Sequence, residues 1–570
     1  MHIYLPVLFA AAACLYFLRY VGIMPDNDYW ADLNQLLTSN GFHLTFQTLY
    51  SHNNEHIIAL PKLIYLANAL LTGGDNRVLA GIVWILSLAV GLLLASALRD
   101  TLRSRIHSVP RRILFAFGCV AGGAAFTPLA AHNFFLGMSG IAWISANLLT
   151  LTALYVQYRN PVSYQARAWA ILLCLLAAQS YSTGVPALFL LGIQAVLQRD
   201  AWRRGAVILL LGVIVLVVFF LQQTVPSAHG PRTFAPLLDA SFVAIFIGGG
   251  LTSHPDLAGV WGALGLLLFA WLAIRTLWRQ EGMLRSQAFW LTVGAYAVLA
   301  GLMAAIGRAE AFGIAGAAAS RYATIPALFW VAVLGLAIAA RAPESRDENR
   351  SHLATLALAV SVVVLTVIVG GIRQVELHIV RAALKPGAAL SVYLGAHDIK
   401  LLRVAVTPAT QQLTSIRSEL SRVRHVPFNG HFSRCPQLGS SITPSTDKLT
   451  SPPKGHMDGG EWLHTNSFVK LRGWVANGDD SVYNGQWTKP HCIAIADAAG
   501  VVRGLGVAGL PRPDVAAVLH SPDTRFGWVG YAKITNSPTT LFAYARDSLD
   551  SHWHPLGNSL RVTANPVTRQ

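Results

Sequence analysis

Apolar runs of about bilayer-crossing length recur from the N-terminus to about residue 371, and beyond that point the spacing of apolar positions changes. The runs at 3–21, 77–97, 112–131, 139–157, 168–182, 185–198, 205–222, 257–274, 286–306, 322–340 and 353–371 read as transmembrane helices, about eleven in all. Two other apolar stretches do not fit that reading. Residues 56–74 are interrupted by Pro61, Lys62 and Asn68 and predict a juxtamembrane helix along the interface. Residues 236–250 are short and Gly-rich at their end, which predicts a re-entrant or interfacial helix. Residues 372–430 are mixed and amphipathic, and 440–460 are rich in Ser, Thr, Pro and Gly, as in a linker. From Glu461 the pattern becomes short alternating strands, FVKLRGWVAN, HCIAIADAAGVVRGLGVAG, FGWVGYAKI, TTLFAYARD and NSLRVTAN, which predict a small antiparallel β-sandwich. The expected division is therefore a transmembrane domain over 1–371, whose first outer loop is 22–76, a connector over 372–460 and a β-sandwich over 461–570.

Charge placement orients these spans. The loops 98–111, 158–167, 199–204, 275–285 and 341–352 carry the arginines, whereas 132–140 and 181–186 carry none. By the positive-inside rule the N-terminus is cytoplasmic, and both the first loop and the C-terminal domain lie outside. Counting 56–74 as a crossing would export the basic loop RDTLRSRIHSVPRR. The N-terminal run lacks a basic leader and a small-residue exit, so it reads as a retained helix. The formal charge of +16 accompanies 54% hydrophobic residues and sits in short loops, so it does not predict nucleic-acid binding. Three of five cysteines, Cys14, Cys119 and Cys174, lie in apolar runs; Cys435 and Cys492 lie in the C-terminal part, where export would allow a disulfide.

Charged residues make up only 12% of this chain, yet the first loop concentrates acids and histidines. Asp26 and Asp28 follow span one directly, beside Tyr29 and Trp30. A carboxylate there suits a general base on a sugar or lipid hydroxyl, or the N-cap of a helix from Tyr29. His52, Glu55 and His56 open the expected interfacial helix, where His52 and His56 would share a face and suit phosphate binding. Their order does not match the two-histidine zinc helix, so no metal is assigned; a divalent cation is compatible with the acids but not required. Arg308 and Arg321 lie at outer span ends, where a guanidinium either clamps a phosphate or pairs with a carboxylate between helices. Arg232 is a weaker candidate of the same kind. His132-Asn133 and Ser182-Thr183-Gly184 add polar groups that would line the same outward cavity, while Arg512-Pro513-Asp514-Val515 reads as a turn with Asp514 as helix cap.

The order of these parts resembles the GT-C superfamily of membrane glycosyltransferases, in which an acid in the first outer loop follows span one and juxtamembrane helices precede span two. The resemblance implies a polyprenyl-phosphate sugar donor, with Asp26 or Asp28 at the catalytic acid position and Glu55 and His56 near the substrate. It departs at YSTGVP, residues 181–186, where members often carry a lysine and an acid. The tail, VVRGLGVAGLPRPDVAAVL followed by RFGWVGYAKI, looks like a β-sandwich module of bacterial glycan-modifying proteins. The expected activity is sugar transfer to a cell-surface glycan or lipid acceptor outside the bacterial inner membrane, with Arg308 or Arg321 neutralising the leaving phosphate. The alternative is a glycan or lipid transporter or an envelope assembly protein, for which charges along the spans would be the signature.

Overall fold

The computed structural model describes the chain except residues 55, 106–108, 199–201, 223–234, 279–284, 341–345, 408–409, 445–452, 464–466, 477–491, 522, 535–537, 547–551 and 564–570, and the side chains of 346–366 and 369. It divides into two units. The first comprises Met1–Arg19, Leu44–Tyr65 and Arg77–His378, and the second Tyr20–His43, Leu66–Asn76 and Ile379–Gln570. The first loop is thus partitioned: its aspartates belong to the second unit and His52 and His56 to the first.

The first unit is a helical bundle. Six helices among the described residues are long and apolar enough to cross a membrane: Asn76–Arg105, Arg111–Phe135, Gly137–Arg159, Arg203–Leu221, Pro255–Leu277 and Arg285–Phe312. Arg203–Leu221 and Pro255–Leu277 are only 17% and 22% buried, so their apolar surface requires a lipid-like surrounding. Other expected spans form shorter apolar helices, among them Leu5–Leu18, Tyr164–Ala178 and Thr324–Ala339. Pro236–Gly248 has 13 residues and rises about 20 Å, short of a bilayer core of about 30 Å. Inside the bundle, the Tyr296 hydroxyl donates to Asn147 Oδ1 (2.8 Å) and the Thr292 hydroxyl to Gln194 Oε1 (3.2 Å). These neutral groups satisfy one another, as polar groups between membrane helices must. At the arginine-rich end Asp100 accepts from Tyr155 (2.9 Å) and Arg159 (2.7 Å).

Besides the two-residue strands Leu37–Thr38 and Gly41–Phe42, the second unit has, among the described residues, seven longer strands: β1 (Lys454–Trp462), β2 (Phe468–Ala476), β3 (Ile493–Asp497), β4 (Val502–Leu510), β5 (Gly527–Lys533), β6 (Thr539–Ala545) and β7 (His554–Val562). They form a closed barrel in the order β6-β7-β1-β2-β5-β4-β3, with β3 pairing back onto β6, and not the expected sandwich. Inward side chains alternate with outward ones in both architectures, so the alternation cannot separate them; closure rests on the β3–β6 pairing and on a parallel contact of β7 with β1 at Gly557 and His456. The first of these strands lies partly in the expected linker. The sequence KGHMDGGEW carries a single fully buried apolar residue, Met457, and its glycines conceal a strand. The core is built on Leu471, Ile493, Ile495, Trp528, Leu541 and Ala543.

Asp398 caps the helix Ile399–Ala405 and accepts from the β5 residue Tyr531 (2.9 Å) and the β2 residue Lys470 (2.8 Å), so the connector is tied to the barrel wall. Arg512, not Asp514, occupies the helix-cap position; Pro513 and Asp514 follow in the first turn, since proline favours the first helical position. The Arg512 guanidinium bonds Asp514 (2.7 Å) and holds its carboxyl down at about 2. Cys435 and Cys492 form a disulfide with a Cα–Cα distance of 5.6 Å. The double variant Cys435→Ser/Cys492→Ser is expected to lose about 2–5 kcal/mol of stability, read as a lower melting temperature with unchanged behaviour in reductant.

Candidate functional site

The first unit's site begins with a short segment whose local chemistry differs from the expected helix. Thr45 and Thr48 form a reciprocal capping box that starts the turn Phe46–Leu49. His52-Asn53 and His56-Ile57 then pair as two-residue antiparallel strands, with His52 opposite Ile57 and Asn53 opposite His56. Asn54 at the turn has φ +51°, a left-handed conformation that asparagine tolerates well. His52 and His56 therefore do not share a helix face, because the turn at Asn54 reverses the chain before the helix Ala59–Thr72 begins. Glu55 lies outside the described residues. Lys62, fully buried, secures the hairpin base by donating from Nζ to the carbonyls of Thr48 (3.2 Å) and Ser51 (2.7 Å).

His56 and Arg308 come together. Arg308 Nη2 lies 2.9 Å from His56 Nε2, and Nη1 donates to the Tyr322 hydroxyl at 2.8 Å. Because a guanidinium only donates, His56 Nε2 must accept, which makes this imidazole neutral with its proton on Nδ1. The Tyr181 hydroxyl stands 3.4 Å from Arg308 Nη2, its ring packs 4.0 Å from that of His56, and Trp143 follows 4.2 Å behind it. Arg321 approaches Tyr322 from the other side, 5.1 Å from its ring, with Nη2 3.4 Å from the same hydroxyl. Asn133 donates to the Arg321 carbonyl (2.9 Å) and so supports this turn instead of lining the cavity. Arg232 lies outside the described residues.

His56, Trp143, Tyr181, Arg308 and Tyr322, but not Arg321, line a cleft enclosing about 490 Å³ of space, continuous with the surroundings. Ser182 and Thr183 add polar groups to its lining, and Phe219, Phe220, Met303 and Ile306 add apolar ones. A fixed cation in a cleft that also has apolar side chains suits an amphiphile with an anionic head. The sequence singled out Arg308, His56 and the Ser182-Thr183 turn. It missed Tyr322 and Trp143, which carry no polarity signal against an apolar background.

The aspartates of the first loop lie in the second unit. Asp26 is 2% exposed and accepts from Lys385 Nζ at 2.5 Å, while the same ammonium donates to the Met24 carbonyl at 3.0 Å. Gly22 makes the room: a Cβ there would stand 2.5 Å from Lys385 Cδ. Burial pushes the Asp26 carboxyl up, against the pull of Lys385 and Arg381, and pushes the Lys385 ammonium down. Asp28 is exposed at the N-cap position of the helix Tyr29–Leu36, with no side-chain capping bond. Nothing in the sequence singles out Lys385, which follows Arg381 in the run before Pro386.

Behind the loop, the Tyr29 hydroxyl meets Nε2 of the fully buried His425 at 3.0 Å, and Nδ1 faces the Val426 carbonyl at 3.2 Å. Gly74, with φ +77°, is required beside it, since a Cβ would fall 1.9 Å from His425 Nε2. Burial lowers the His425 pKa to about 4. The unfolded chain, near 6.5, then binds more protons than the fold between those values, so stability is full above pH 6.5 and is lost as pH falls toward 4. The fold is expected to lose about 2 kcal/mol from this group by pH 5. Thermal unfolding at pH 7 and pH 5 checks it, and a pH dependence unchanged in His425→Gln would refute it.

Among the described residues no three or more His, Cys, Asp or Glu side chains come together to hold a metal ion. Comparison of the chain with protein-family models, curated proteins and solved structures gives no match.

Proposed function

We propose that this protein is a membrane glycosyltransferase that moves a sugar from a polyprenyl-phosphate donor to a cell-surface glycan or lipid acceptor on the outer side of the bacterial inner membrane. The observation that carries the reading is the cleft around Arg308, whose lining combines a fixed cation with apolar side chains. In a transfer of this kind the C–O bond between sugar and donor phosphate breaks, the acceptor oxygen bonds the sugar carbon, and negative charge grows on the departing phosphate. A guanidinium held by His56, Tyr181 and Tyr322 meets that charge without reorganising, which is where electrostatic catalysis is strongest. The apolar part of the lining, Phe219, Phe220, Met303 and Ile306, suits the isoprenoid chain.

The base that takes the acceptor proton is proposed from the sequence alone, as a first-loop carboxylate. Of the two, Asp28 is exposed and Asp26 is committed to Lys385. The disulfide supports an extracytoplasmic C-terminal domain, because such bonds persist in oxidising compartments. The full set of about eleven spans, and a periplasmic barrel, belong to the same proposal. The bundle's neutral, mutually bonded interior groups Tyr296, Asn147, Thr292 and Gln194 weigh against a charge-lined transport path.

The test is glycan mass spectrometry of the host envelope in a deletion strain carrying wild type, Asp28→Asn or Asp26→Asn at matched membrane abundance. Loss of a defined sugar mass on deletion, restored by wild type and not by one Asn variant, supports the reading and names the base. An unchanged glycan profile on deletion refutes it.

A further inference from the structure

A second cluster of cations lies at the arginine-rich end of the helical unit, which the charge pattern predicts to be cytoplasmic. Arg167, in the first turn of Tyr164–Ala178, is 7% exposed; its Nη2 donates to the Pro161 carbonyl at 2.7 Å, and its Nε is buried without an acceptor. Arg204, on the helix Trp202–Gln222, lies 4.3 Å over the Tyr164 ring and bonds its hydroxyl, and Arg167 lies 5.9 Å from the same ring. Two guanidiniums thus share one aromatic ring. Among the described residues neither has a carboxylate within salt-bridge distance, whereas nearby Arg159 is neutralised by Asp100. A buried cation beside a second cation is unfavourable unless an anion joins them.

The level of the cluster in the bundle identifies the anion. Trp169 and Tyr164 are 56% and 68% exposed, with Leu172 and Leu175 exposed on the same short helix. Amphipathic aromatics at the end of an apolar bundle mark the level of lipid headgroups. We propose that this cluster is a specific site for an anionic glycerophospholipid, its phosphate bridging Arg167 and Arg204 beside the exposed Tyr164 ring. The inference rests on the membrane-crossing helices and not on the glycosyltransferase reading.

The experiment is native mass spectrometry of the full-length protein in detergent, with phosphatidylglycerol and phosphatidylcholine of equal acyl composition. Wild type is expected to retain phosphatidylglycerol preferentially, and Arg204→Gln to reduce that preference about fivefold, the equivalent of one basic contact near a lipid surface. Arg167→Gln should do the same, but its burial makes Arg204→Gln the safer variant. Equal retention of the two lipids by wild type, or full preference in Arg204→Gln, overturns the proposal. Displacement of bound lipid by millimolar glycerol 3-phosphate also overturns it, since the site would then be one for soluble anions.

Discussion

Arg308→Ala is expected to lower sugar transfer by about 10²–10³-fold, with the donor's KM rising less than kcat falls. The guanidinium is placed before any substrate arrives: His56 accepts from one nitrogen, Tyr322 from another, and Tyr181 stands at 3.4 Å. A cation so held stabilises charge that develops as the donor bond breaks more than charge already present on the ground-state phosphate. Arg308→Lys keeps the charge but cannot reach His56 and Tyr322 with one planar fork, so it should recover only part of the loss. Tyr322→Phe removes one anchoring oxygen and leaves the ring in place, and a smaller loss, about tenfold, is expected. The check is turnover of a polyprenyl-phosphate sugar by purified variants whose melting temperatures are measured alongside. A folded Arg308→Ala protein with wild-type turnover would remove the phosphate role from this cleft.

Breaking the Asp26–Lys385 pair should have the largest effect on stability. Asp26→Ala leaves a buried ammonium with the Met24 carbonyl as its remaining polar contact at 3.0 Å, and a loss of about 3–5 kcal/mol is expected. Asp26→Ala/Lys385→Met removes both charges and should recover most of that loss, because the desolvation of each ion was what the pair had to offset. The double variant also separates two meanings of the first-loop acid. If it is stable and transfers sugar, Asp26 is an anchor and the base is elsewhere, with Asp28 the next candidate. If it is stable and inactive, the carboxylate itself takes part in the chemistry. Melting temperature and turnover, measured on the same preparations, give the answer.

Much of this protein is legible without coordinates, for physical reasons that can be named. Apolar runs have to become helices in lipid because no other open structure satisfies their backbone groups, so the long helices at 77–97, 139–157, 257–274 and 286–306 follow from hydropathy alone. Six of the seven barrel strands follow from the period-two alternation, and β1 does not because glycines replace its outward and inward residues. His56 and Arg308 stood out because charge is rare in this chain. That they meet, 252 positions apart, depends on helix packing. Tertiary structure alone decided the rest. A hairpin that pairs Asn53 with His56 replaced a helix, with Asn54 at φ +51°, and closure of the barrel depended on pairing between strands far apart in the chain. The fate of Asp26 was decided by Lys385, 359 residues away, since a carboxylate reads the same in sequence whether it faces solvent or a buried ammonium.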